Sequence, residues 1–375
     1  MRILIAVNVD WFFISHRLPV ALAAVIAGHD VHIMTQVTDC KHRLESYGFV
    51  VHNVNLDRSS GGPIGLIKLF LSYMRVFWTV RPDVVHLVTI KPVLIGGLAG
   101  RFSPVGGVVY AVSGLGHVFT ESGLFGRLRR LVVKVGYRLI LGAKNICVIF
   151  QNPTDRSAIE SMVNLNPSKV AMIPGSGVDL TDYTFTPAPS GDITIIMAAR
   201  LLRTKGVAEF VESARIIRKL NSKVRFLLVG APDPANPATI TERELAAWKA
   251  EGVVEQLGHR SDIASLMQLA HIVVLPSYYG EGLPKVLIEA AACGRAVVTT
   301  DMPGCRDAIE PEVTGLLVAP RDAAALSNAL LELVNDRGRC AEMGRAGRER
   351  AELLFDVNEV VKTHLNIYEA LSKCT

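Results

Sequence analysis

Ile193-Thr-Ile-Ile-Met-Ala-Ala-Arg200-Leu-Leu-Arg-Thr-Lys205-Gly206 begins as a short, β-rich apolar run and ends in cations and a glycine. A strand buried on both faces of a parallel sheet reads as a continuous apolar run, so Ile193–Ala198 is a predicted strand. Its weight lies in what it restarts. Upstream, Ile3–Val7, Val31–Thr35, Val84–Val88, Val105–Val112 and Ile146–Phe150 have the same character, and each precedes a segment with helical apolar spacing. Downstream, Val224–Val229, Val253–Leu257, Ile272–Leu275 and Ala296–Thr299 continue the pattern. Strands alternating with helices predict a parallel sheet covered on both faces, here twice over: α/β, with two Rossmann-like doubly wound domains facing a central cleft. Pro174-Gly-Ser-Gly-Val-Asp179 and Thr186-Pro-Ala-Pro-Ser-Gly191 mark a predicted linker at 174–191, between domains at 1–173 and 192–355. The helix predicted over about 356–375 either finishes the second domain or crosses back to the first.

The 375 residues exceed what one core usually organises. Half of them are apolar and a fifth charged, which excludes a disordered chain. The net charge of +5 is unevenly placed: residues 1–170 carry 18 Lys and Arg against 9 Asp and Glu, a balance of +9, and the rest carries −4. A moderate excess spread over a globular half suggests an anionic surface or ligand more than nucleic acid. The six cysteines show neither a C-x-x-C pair nor metal-ligand spacing, so reduced cytosolic thiols are expected. No signal-peptide pattern and no run of ~20 apolar residues is found, which points to a soluble protein, either free or attached to a membrane face.

The first strand-to-helix turn lacks the G-x-G-x-x-G of a dinucleotide site. It reads Asn8-Val-Asp-Trp-Phe-Phe-Ile-Ser15-His16-Arg17, which suits either aromatics packed under the sheet with Ser15 capping a helix, or a loop that touches a ligand. The strongest local signal is Tyr278-Tyr-Gly-Glu281-Gly-Leu-Pro284-Lys-Val-Leu-Ile-Glu289. Pro284 stands where a helix opens, and the amides around Gly282 to Lys285 suit a diphosphate. Glu289 suits the two hydroxyls of a ribose, because each carboxylate oxygen accepts a hydrogen bond. Arg200 and Lys205 fall at the same sheet edge, where a planar fork and a mobile ammonium would stabilise a departing nucleoside diphosphate.

Arg200-x4-Lys205-Gly206 and Glu281-x7-Glu289, with Gly258-His-Arg-Ser-Asp262 and Thr314-Gly-Leu-Leu317 around them, resemble glycosyltransferase family 4, the retaining GT-B sugar-nucleotide enzymes. The first half, through Ser15-His16-Arg17 and Ser113-Gly-Leu-Gly116, is similar to bacterial members that extend polyprenyl-diphosphate-linked sugars for surface glycans. The resemblance implies that Arg200 and Lys205 bind the donor diphosphate, and that Glu281 with Gly282, Leu283 and Pro284 holds the donor sugar and its phosphate. It further implies that Glu289 holds the ribose and that Gly258, His259 and Arg260 line the base pocket. Neither a metal nor another cofactor is implied, and UDP is the implied nucleotide. Two departures stand out. No Gly-Gly loop follows the first strand, so Asp10, Ser15, His16 and Arg17, with Gly114 and Gly116, are assigned to the acceptor. His117 replaces a family histidine expected to touch the donor sugar, or serves its turn structurally.

Residues 123–144 alternate apolar and basic groups at helical spacing. Arg127, Arg129, Arg130, Lys134 and Arg138 suit an anionic leaflet, and equally the solvated face of an ordinary helix. Ile64–Trp78 is apolar nearly all round and is expected to be mostly core, with Phe77 or Trp78 toward lipid. The function expected is transfer of a hexose or N-acetylhexosamine from a nucleotide sugar to a lipid-linked sugar, at the cytoplasmic face of the plasma membrane. The competing expectations are a soluble sugar or sugar phosphate acceptor, and a nucleotide-sugar-binding protein without catalysis.

Overall fold

Ile3, Ile5 and Val7 pack into one core cluster and Leu4 and Ala6 into another, all fully buried, so the first strand is covered on both faces. The computed structural model describes residues 1–54, 62–115, 124–234 and 236–373, the side chains of Pro63 and residues 124–129 excepted. Met1–Ser176 and Val357–Thr375 form one compact unit and Gly177–Asp356 the other.

The first unit is built on β1 (Arg2–Val9), β2 (Asp30–Gln36), β3 (Val50–Asn53), β4 (Val84–Val88), β5 (Gly107–Val112), β6 (Ile146–Phe150) and β7 (Val170–Met172). All pairings are parallel, in the order β3-β2-β1-β4-β5-β6-β7. Helices Pro63–Val80 and Leu124–Leu141 cover one face and Leu18–Ile26 the other. The second unit repeats the plan with β8 (Thr194–Ala198), β9 (Arg225–Val229), β10 (Glu255–Gly258), β11 (Ile272–Leu275), β12 (Ala296–Thr300) and β13 (Gly315–Val318), ordered β10-β9-β8-β11-β12-β13. In both sheets the chain reverses its winding direction between the central pair, β1/β4 and β8/β11. Such switch points open a crevice at the carboxyl ends of the strands.

Three strands, β3, β7 and β13, were not predicted. The first two are short edge strands whose residues are half-exposed, so no continuous apolar run announces them. The final helix, Val357–Lys373, belongs to the first unit and lies against Leu18–Ile26. Val357, Val360, His364, Tyr368 and Leu371 are its buried stripe. The stretch from Gly177 to Gly191, expected as linker, is laid onto the second unit instead. Its backbone carbonyls are taken by side chains there: Arg348 Nη1 donates to Tyr183 O at 3.0 Å, Arg295 Nη2 to Thr186 O at 2.9 Å, and the His271 ring meets Pro189 O at 3.0 Å.

Candidate active site

The cation-bearing segment after β8 turns back at once. Arg203–Lys205 form one 3-10 turn, Gly206 adopts φ +79°, and the helix Val207–Leu220 follows. A Cβ on Gly206 would lie 2.2 Å from Pro276 O, so only glycine lets this turn sit against the end of β11. Ser277 Oγ and the Tyr278 N–H donate to Thr204 O at 3.1 and 3.0 Å and close the contact. The two loops of the switch point are thereby locked together, and Lys205 Nζ lies 2.5 Å from Glu281 Oε2. At 17% and 13% exposure these side chains form a largely desolvated pair, a setting in which charge acts strongly. Arg200, 40% exposed, donates from Nη1 to Asp233 Oδ2 at 2.8 Å.

Pro284 caps the helix Lys285–Ala292, and Glu289 is buried on it. Burial pushes this carboxyl up, while Lys285, with Nζ at 3.6 Å, and a hydrogen bond from the Tyr183 hydroxyl pull it back. A carboxylate held between an ammonium and a phenol in the second unit is an oriented acceptor. Gly258 ends the edge strand β10 with φ +65° and accepts from the Gly230 N–H at 2.8 Å. His259 and Arg260 follow it in solvent, Arg260 binding Asp262 through Nε at 2.7 Å and Nη2 at 2.5 Å. Lys205 and Glu281 therefore meet at the β8/β11 switch point, with Gly282 to Pro284 following Glu281; Arg200 leaves the same end of β8 but pairs with Asp233 in the loop after β9, and Gly258 to Arg260 stand at the edge of the same sheet. Asp233 and Tyr183 escaped sequence reasoning. The Pro-flanked aspartate at the carboxyl end of β9 was the available signal for the first.

The first unit corrects several assignments. Asp10 to His16 form a helix, not a loop, and Arg17 rather than Ser15 occupies the cap of the next one. Asp10 is fully buried and faces the backbone: Oδ2 accepts from the N–H groups of Thr38 at 2.7 Å and Cys40 at 3.0 Å, and Oδ1 from the Thr38 hydroxyl at 2.6 Å. Burial opposes its charge, but these hydrogen bonds overcome it and hold the carboxyl below its usual range. Arg17 is buried too. Its Nη1 donates to His16 O at 2.8 Å, and burial brings its pKa down to about 10, partly offset by nearby Tyr368. Both residues serve the fold, which leaves half-buried Ser15 and His16, the latter stacked on Phe12, as the acceptor candidates of that segment. Gly114 ends the β5 turn with φ +99°. Gly116 and His117, and the side chains of Arg127 and Arg129, lie outside the described residues. A further feature went unforeseen: Thr89, directly after β4, holds φ +73°, a strained conformation for a β-branched residue at the switch point.

Outside the sheet edge, helix Pro63–Val80 is less core-like than expected. Phe77 is fully buried, but Ile64, Ile67, Leu71 and Trp78 form an exposed apolar stripe at helical spacing, with Trp78 52% exposed. Leu131, Val132, Val135 and Leu139 are exposed on the neighbouring layer helix beside Arg138, while Arg130 and Lys134 are half-buried. Among the described residues no helix is long and apolar enough to cross a membrane.

Comparison with known proteins assigns both halves. The family model "Glycosyl transferases group 1" matches residues 183–350 and "Glycosyl transferase 4-like" matches residues 2–152. A relative 28% identical, over 96% of this chain and 98% of its own, is the N,N'-diacetylbacillosaminyl-diphospho-undecaprenol alpha-1,3-N-acetylgalactosaminyltransferase of Campylobacter jejuni. Another, 27% identical over 88% of this chain and 84% of its own, is the D-inositol 3-phosphate glycosyltransferase of Pseudarthrobacter chlorophenolicus. The crystal structure of Anabaena HepE in complex with UDP and glucose is similar in fold, with a TM-score of 0.77 at 19% identity over 98% of both chains. With one glycosyltransferase model on each doubly wound unit and the Arg-Lys-Glu set at the second switch point, the chain belongs to glycosyltransferase family 4, enzymes of the GT-B fold.

Proposed function

We propose that this glycosyltransferase moves a hexose or N-acetylhexosamine, with retention of anomeric configuration and without a metal ion, from a UDP-sugar to a polyprenyl-diphosphate-linked sugar. The observation that carries the donor half is the desolvated Lys205–Glu281 pair at the β8/β11 switch point, with Arg200 on the same loop after β8. As the glycosidic bond breaks, negative charge grows on the departing diphosphate. Lys205 and Arg200 are cations held where that charge develops, which is the arrangement that lowers a barrier without reorganisation. The carboxylate of Glu281, in contact with the Lys205 ammonium, holds it in one orientation, and Glu289 accepts from the ribose hydroxyls.

The acceptor half rests on two supports. The full-length Campylobacter relative is named for an undecaprenol-diphosphate-linked sugar, and the first unit combines a +9 balance with exposed apolar stripes on two helices of one layer. Apolar side chains beside cations suit insertion at an anionic leaflet, each surface cation contributing about 1 kcal/mol. The second reading, a soluble sugar phosphate acceptor, is favoured by the relative named for inositol 3-phosphate.

Thermal-shift titration with UDP, GDP, ADP and dTDP tests the donor, since binding raises the melting temperature by mass action. UDP is expected to give the largest shift, and silence from all four defeats the donor site. Lys205→Ala and Glu289→Ala are each expected to lower turnover by about a hundredfold or more with the fold retained; unaltered activity in both refutes their roles. Replacing Arg130, Lys134 and Arg138 by Ala should lower binding to anionic vesicles more than turnover of a soluble acceptor, and equal loss of both counts against the membrane role.

A further inference from the structure

Gly230, Ala231 and residues 238–240, which follow β9, are bound to the loop that carries Arg200. Gly230 holds φ +139°, and a Cβ there would lie 1.9 Å from Ala199 O, so the backbones touch one residue before Arg200. The Leu201 N–H then donates to Ala231 O at 3.0 Å, the Ile240 N–H to Leu201 O at 2.8 Å, and the Arg203 N–H to Ala238 O at 2.7 Å. Leu202 and Thr239 form an antiparallel bridge. Thr241 then caps the helix Glu242–Glu251, whose Glu244 grips Arg203 in two hydrogen bonds of 2.8 and 2.9 Å. Inside this strap Asp233 is fixed from both sides: its N–H donates to Thr239 Oγ1 at 2.9 Å and its carbonyl accepts from the Asn236 N–H at 2.8 Å. Its carboxylate, 19% exposed, accepts from Arg200 Nη1 at 2.8 Å.

We propose that Asp233 is the positioning residue of the donor diphosphate site, holding the Arg200 guanidinium in place before the nucleotide arrives and tempering its charge once the diphosphate is bound. The inference rests on the reading that Arg200 meets the diphosphate. A long, exposed arginine loses rotamer freedom when it must adopt one geometry, and a carboxylate anchored on a stitched strap imposes that geometry in the empty enzyme. The same carboxylate places a negative charge beside the site of an anionic ligand, which weakens the hold on diphosphate and favours release of the product nucleotide. Other arginine pairs of this unit, Arg215–Glu251 and Arg225–Glu255, join residues of helices and strands rather than a loop.

The two effects separate by substitution. Asp233→Asn keeps an oxygen acceptor and removes the charge, so the nucleoside diphosphate should bind roughly three times more tightly. Asp233→Ala removes the acceptor as well, and binding should weaken by roughly tenfold. The measurement is calorimetric titration of the full chain with whichever of UDP, GDP, ADP or dTDP stabilises it, beside Arg200→Ala and with melting temperatures recorded for all variants. Tighter binding in Asp233→Asn with weaker binding in Asp233→Ala supports the assignment. Unchanged or tighter binding in Asp233→Ala overturns it, as does equal weakening in both variants, which would mark a merely structural pair. If Arg200→Ala binds like the parent chain, or the parent binds none of the four nucleotides, it is the donor-site reading that fails and the inference falls with it.

Discussion

The two sheets end in opposite uses of charge. At the switch point of the second unit, Arg200, Lys205 and Glu281 are paired but remain partly accessible, each cation poised beside a carboxylate. At the corresponding edge of the first unit, Asp10 and Arg17 are turned inward and spent on backbone N–H groups and a carbonyl. What the first unit presents outside is apolar stripes and dispersed cations. The unit with the acidic balance of sequence thus contains the candidate anion site, and the unit with the basic balance buries its motif arginine. Net charge describes the field around a domain; a site depends on which few charges the fold places together.

Lys205→Ala is the hardest test of that contrast. Turnover should fall by about a hundredfold or more. Because Glu281 would be left desolvated without its ammonium, the chain should also lose about 3 kcal/mol in a denaturant melt. Acid should act on the other unit. His364, held by burial and the nearby Arg17 at a pKa of about 3, and His86, held well below the ordinary value, are neutral in the folded chain. An unfolded histidine binds its proton near pH 6.5. Their contribution is therefore complete above about pH 6.5 and is lost as the pH falls from there toward 3, by on the order of 4 kcal/mol for His364 alone. Melting temperature against pH should show this limb, and His364→Leu should flatten it.

Asp10→Ala should cost about 2 kcal/mol, since the N–H groups of Thr38 and Cys40 lose their acceptor, yet leave nucleotide binding unchanged. Loss of nucleotide affinity without loss of stability in that variant would break the contrast. The smallest effect on stability is expected at Trp78: replacement by Ala should stay within about 0.5 kcal/mol. Vesicle binding should nevertheless fall, and an unaffected partition would remove Trp78 from the proposed membrane contact.

The parallel strands were legible because a strand buried on both faces must be apolar throughout, and Val84–Val88, Ile146–Phe150 and Ile272–Leu275 are found as predicted. Edge strands such as Val50–Asn53 were not, since half their residues face water. The charges of the candidate site were legible for a related reason: Arg200 and Lys205 follow one central strand and Glu281 the other, and strand order in a doubly wound sheet brings those ends together. Segment Asn8–Arg17 misled because its polar residues look functional in a list and are structural in place.

The amino-acid sequence by itself determined two parallel-sheet units and the edge on which Arg200, Lys205 and Glu281 stand, both of which follow from periodicity and near-neighbour spacing, while the family was indicated by the resemblance of its motifs. Only the tertiary structure decided that the last helix returns to the first unit, that Gly177 to Gly191 is bound to the second, that Arg17 is interior, and that Asp233 holds Arg200. Each of these joins residues distant in the chain. Local patterning states which side chains share a face, but not which surface that face will meet.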